Sequence, residues 1–104
     1  MKIGIIGKRE CILGFRALGL ETFPVKNGEE ARAQLLKISE DDFAIIFITE
    51  SLAQEVYDTI GEINQKTFPA VKIIPDLSGA QGFAFKLIRE AMLRAVGTDV
   101  TKDS

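Results

Sequence analysis

Histidine and tryptophan are absent from this sequence, cysteine occurs once, and the charges nearly cancel at a formal net of -2. Each shortage removes a class of function. Without histidine the commonest general base and metal ligand is missing, and Cys11 alone can form neither an internal disulfide nor a zinc site. Lys and Arg number 13 and Asp and Glu 15, so there is no global field to draw DNA or RNA, and nucleic acid is not an expected partner. No apolar run approaches the ~20 residues of a membrane span. From Met1 to Gly7 a single Lys2 precedes a few apolar residues, which is not the form of a signal peptide and predicts a cytosolic chain.

What the sequence does have is an alternation of two apolar patterns within 104 residues, 46% of them hydrophobic, which suits one domain with a real core. Lys2–Ile6 is a continuous apolar run with the character of a strand buried on both faces, and Gly7 ends it and turns the chain. From Glu10 to Leu18, Cys11, Ile12, Phe15 and Leu18 recur at helical spacing, with Gly19 placed as a C-terminal cap. Glu21–Val25 reads as a short strand whose Pro24 cannot donate a ladder hydrogen bond, which assigns it to an edge. Asn27 and Glu30 have the spacing of a capping box, ahead of a stripe of Ala31, Leu35 and Ile38.

The polar SEDD turn leads into FAIIFI, Phe43–Ile48, the most apolar run and the expected central strand. Thr49–Lys66 reads as one helix with a weak stripe of Leu52, Val56, Ile60 and Ile63; Gly61 in it predicts the loosest of the helices. Ala70–Ile74 is a fourth strand stopped by Pro75, followed by DLSGAQG and a final helix from Phe83 to Val96. The division expected is a core over 1–75, a glycine-containing hinge over 76–82, a C-terminal helix over 83–97 and a frayed tail over 98–104. Repeated strand–helix units imply right-handed crossovers and a Rossmann-like α/β fold, a four-stranded parallel sheet of order 2-1-3-4 with helices on both faces. That order creates a switch point between strands one and three, where open sheets hold ligands.

The residues at that point do not form a known phosphate loop. GIIGKRE lacks the spacing of G-x-G-x-x-G, and Gly7-Lys8 is followed by Arg9 where a P-loop needs Ser or Thr. Gly7, Lys8 and Arg9 could still attract a small anion or nucleotide at the first helix's N-terminus, the alternative being a solvated turn. A phospho-receiver needs acidic groups after strand one and an Asp after strand three; this chain has Lys8-Arg9 and Thr49-Glu50. Asp41-Asp42 lies at the opposite end of strand three and suits a turn, and Cys11 suits the core better than a nucleophile. Neither a catalytic group, a metal nor a cofactor is expected.

The last helix carries a different signal. At ~100° per residue, Leu87, Ala91, Ala84, Ala95, Ile88, Met92, Phe85 and Val96 fill an arc of about 180°, wider than the ~100° that one sheet contact needs. Opposite them Leu93 sits among Lys86, Arg89 and Glu90. This is either a broad core stripe with one exposed leucine or a helix that docks onto a partner. The partner-face candidates are Phe85, Ile88, Met92, Leu93 and Val96, with Arg89 and Arg94 as rim charges, and Gly79 and Gly82 lie before them.

Five segments, in order and spacing, resemble the F subunit of the V-type and A-type rotary ATPases (ATP synthases) of bacteria and archaea. They are IGIIG at the start, GFRALGLE at 14–21, AIIFITE at 44–50, PAVKIIP at 69–75 and AVGTDV at 95–100. The resemblance runs nearly the whole length, and GFRALG followed much later by IFITE is its strongest pair. It implies a small Rossmann-like, non-catalytic component of the central rotor stalk, bound to the coiled-coil D subunit beneath a catalytic A/B head. Such a component takes part in coupling ATP synthesis or hydrolysis to H⁺ or Na⁺ transport, on the cytoplasmic side of the cell membrane, and meets the membrane only through the complex. The family's C-terminal helix is linked to regulating hydrolysis.

Overall fold

A run of isoleucines broken only by glycine builds the first strand, β1 (Lys2–Gly7), and every residue in it after Lys2 is buried. A computed structural model of the chain describes residues 1–76 and 85–94. β1 pairs in parallel with β2 (Glu21–Pro24) on one side and with β3 (Phe43–Thr49) on the other, and β4 (Ala70–Ile74) pairs with β3. The order is β2-β1-β3-β4, so the sheet is all-parallel with the Pro24 strand at one edge, as its missing donor requires. β3, buried at all seven positions, lies inside the sheet beside β1.

The sheet has two covered faces. On one, Ile6, Ile46, Ile48 and Val71 pack with Ala31, Leu35 and Ile38 of α2 (Gly28–Ile38) and with residues of α3 (Glu50–Glu55) and α4 (Tyr57–Ile63). On the other, Ile3, Ile5, Ile45, Phe47 and Ile74 pack with Ile12 of α1 (Arg9–Ile12), with Phe15, and with Ile88 of the last helix, α5, helical over 85–94. The period of two along each strand sends alternate side chains to opposite faces. A register shift between Lys2 and Ile3 against β3 explains why Ala44 and Ile45, neighbours in sequence, both reach the second face.

Local chemistry accounts for most element ends. Asn27 caps α2: its Oδ1 accepts from the Glu30 N–H at 2.9 Å. Glu30 reaches back as a capping box predicts, but one residue further, accepting from the Lys26 N–H at 2.9 Å. Beyond α4, the Asn64 side chain grips β4 from outside: Oδ1 accepts from the Val71 N–H at 2.7 Å and Nδ2 donates to its carbonyl at 3.1 Å.

Two helix expectations are corrected. The single helix over Glu10–Leu18 is one α-turn, α1, followed by a 3-10 helix over Leu13–Leu18, closed by Gly19 at φ 87°. Ile12, Phe15 and Leu18 are three apart, which aligns them on one face of a helix with three residues per turn. The helix over Thr49–Lys66 is two helices, and the break falls at Val56, φ -127° and ψ 26°, not at Gly61. Val56 is completely buried, so the core takes its side chain at the cost of helical continuity, while Gly61 sits in α4 with open space around it.

Arg32 ties α2 to that broken pair. Its Nη1 donates to the Asp58 carboxylate at 3.2 and 3.3 Å and to the hydroxyl of buried Thr59, and its Nη2 to the Glu55 carbonyl. The Thr59 backbone N–H and then the Arg32 charge hold the Asp58 carboxyl below its ordinary value.

Candidate partner-binding site

Two places are at issue, the switch point and α5. At the switch point β1 and β3 end side by side, as the sheet order demands, with Gly7 and Thr49 at their tips. Gly7 does not turn the chain through a left-handed backbone; among the described residues the glycine at positive φ is Gly19. Its role is clearance: a Cβ there would lie 2.5 Å from Ile12 Cγ2 and 3.0 Å from Thr49 Cγ2. Two side chains therefore close over the glycine. Lys8 and Arg9 are exposed beyond it, as the N-cap and first residue of a helix of one turn. At the start of α3 a carboxylate of the chain itself takes the anion's place: Asp76 Oδ1 accepts from the Ser51 N–H at 3.2 Å and from its hydroxyl at 3.0 Å.

Among the described residues, four apolar groups of α5 hold it to the second face: Phe85, Ile88, Ala91 and Met92. Ile88 is 0% exposed, inside the core. Phe85 lies tilted on Phe15 with ring centroids 4.5 Å apart, and Ala91 and Met92 pack half-buried against the same cluster. The face turned to solvent follows from the helical period: Lys86, Arg89, Glu90 and Leu93 are spaced i, i+3, i+4, i+7. Leu93 is 53% exposed in that charged setting. With Leu18, Phe85, Lys86, Arg89 and Glu90 it lines a cleft of about 480 Å³.

The candidates named from the sequence thus separate. Leu93 and Arg89 share one exposed surface, Arg94 is exposed at the last described position of the helix, and Phe85 and Met92 divide their area between core and surface. Ile88 points inward and presents nothing while the helix stays docked. Val96, most of the hinge beyond Asp76 and the tail lie outside the described residues. Leu18, which the sequence pattern assigns only to holding the first helix down, also borders the Leu93 cleft. Its place at the end of the three-residue repeat, beside the αL glycine, is the signal that could have revealed this.

The chain's relatives are specific. The family described as ATP synthase (F/14-kDa) subunit matches residues 3–92. The F subunit of a V-type ATP synthase of Clostridium botulinum is 36% identical over 99 residues, spanning 95% of this chain and 96% of that protein. The F subunit of an A-type ATP synthase of Methanocaldococcus jannaschii is 31% identical over 104 residues, spanning 96% and 99%. Its counterpart in Pyrococcus abyssi is 34% identical over 108 residues, spanning 98% and 100%.

Proposed function

This chain belongs to the family of ATP synthase (F/14-kDa) subunits, and we propose that it is a non-catalytic component of the central rotor stalk of a V/A-type rotary ATPase. In this reading it binds the coiled-coil D subunit beneath the A/B head and helps couple ATP synthesis or hydrolysis to H⁺ or Na⁺ transport. It works on the cytoplasmic side, attached to the membrane through its complex. The observation that carries the reading is the end-to-end match: relatives named as the F subunit of V-type and A-type ATP synthases align over nearly all of their own length and nearly all of this chain.

The docking surface in this proposal is the solvent face of α5, with Leu93 as the apolar contact and Lys86, Arg89 and Glu90 around it. A shaft component transmits torque only through a rigid body and a matched interface, of roughly 1,600 Å² in total for a stable pair. The doubly covered sheet supports the first requirement. Leu93, exposed with charges on either side, has the arrangement of an interface anchor within a polar rim. The test is capture of the full chain by the purified coiled-coil D subunit. Leu93→Glu, at an exposed position, is expected to keep the wild-type melting temperature and to weaken capture about tenfold or more. Capture at wild-type strength by a folded Leu93→Glu variant would move the docking face off α5. Met92→Glu is the poorer probe, since Met92 also packs on the core.

A further inference from the structure

A second cleft, of about 380 Å³, lies between β4 and the inner edge of α5. We propose that it binds a small anionic amphiphile, a monocarboxylate carried on an alkyl chain or an aromatic ring. The volume is within the ~300–1,000 Å³ of small-molecule sites. Its floor is sheet: Ala44, Ile45 and Phe47. One wall is β4 through Ala70 and Ile74, the other α5 through Leu87 and Ala91. At the mouth Phe68 is 54% exposed, a large apolar group left in water.

Charge decides what kind of apolar ligand fits. Lys72 and Arg94 line the cleft, and among its described lining residues there is no carboxylate, in a chain whose acidic residues outnumber its basic ones. Both cations arrive by simple periodicity. Lys72 alternates with Ala70 and Ile74 on the strand, so it shares their face. Arg94 follows Leu87 and Ala91 at i+7 and i+3 on the helix. The Leu93 cleft differs, because Glu90 offsets its basic residues. A neutral hydrocarbon would fill the space and make no use of the two cations at its edge, which have no ion-pair partner among the described residues; a carboxylate on the same chain pairs with them.

The experiment titrates the full chain with decanoate, decanol and decyltrimethylammonium below their aggregation limits, following amide shifts by NMR. Decanoate is expected to saturate with shifts centred on Ala44, Phe47, Lys72 and Ala91, and to bind about tenfold more tightly than decanol and the cation. Lys72→Gln and Arg94→Gln, both at exposed positions, are expected to remove most of that preference while leaving decanol binding unchanged. Ala91→Phe, which fills the cleft, is expected to weaken all three ligands. Equal binding of decanoate and decanol, shifts centred elsewhere, or a preference that survives both Gln variants would each overturn the proposal. The outcome is independent of capture by the coiled-coil D subunit, which tests the other face of α5.

Discussion

The two faces of the sheet are covered in different ways. One carries α2, α3 and α4, with Leu35, Ile60 and Ile63 in the core and Arg32 binding three elements together. The other carries a single α-turn, a 3-10 helix and α5, to which the chain returns only after β4. Among its described residues, α5 places Ile88 fully in the core and holds on otherwise by half-buried groups. The first cover is therefore tied to the sheet through three helices, while the described part of α5 is tied to the second face through fewer buried groups.

The difference is broken most directly by truncating one anchor on each side. Leu35→Ala, on the first face, is expected to lower unfolding free energy by about 2–5 kcal/mol. Ile88→Ala is expected to cost less in chemical denaturation and to speed amide exchange selectively over residues 85–94. Equal losses, with exchange unchanged in α5, would show the two faces to be one cooperative unit. Gly7→Ala tests the seam where both faces meet the strand tips. Its methyl would press on Ile12 and Thr49, and the overpacking is expected to cost about 1–3 kcal/mol in the same denaturation assay.

The smallest effect concerns the Arg32 tie. Because the folded-state pKa of Asp58 is depressed from 3.8, its contribution is present above that value and is lost as pH falls through it toward the lower folded-state value. Asp58→Asn is expected to flatten slightly the loss of stability in that acid window and to change nothing near neutrality beyond the surface ion pair itself. An unchanged acid limb would show that neither the Thr59 backbone N–H nor Arg32 favours the ionised Asp58 enough to affect folding.

Much of the architecture was legible because it rests on strong local signals. Pro24 assigned β2 to an edge, the continuous apolar runs assigned β1 and β3 to the interior, and Asn27 marked the start of α2. The misreadings share a cause. Val56 breaks a helix because the core needs its side chain, and Gly7 is small because Ile12 and Thr49 crowd it; both depend on neighbours distant in sequence. The site was legible in part. Leu93 stood out as an apolar residue among charges, but the wide apolar arc could not separate Ile88, which faces the core, from Leu87 and Ala91, which border a cleft. That division depends on how far the helix axis sits from β4, and periodicity holds no information about it.

The grip of Asn64 on β4 has a consequence for growth of the sheet. A side-chain amide presents one acceptor and one donor in the same relation as a peptide group, so at Val71 it stands where the next strand's backbone would. The outer rim of β4 is thereby terminated by one residue, and at the opposite rim Pro24 has no N–H to offer. A parallel sheet with apolar strands and two open rims would be a template for stacking one copy on another. Here both rims carry a stop against such edge-to-edge pairing, one a side-chain amide and the other a proline.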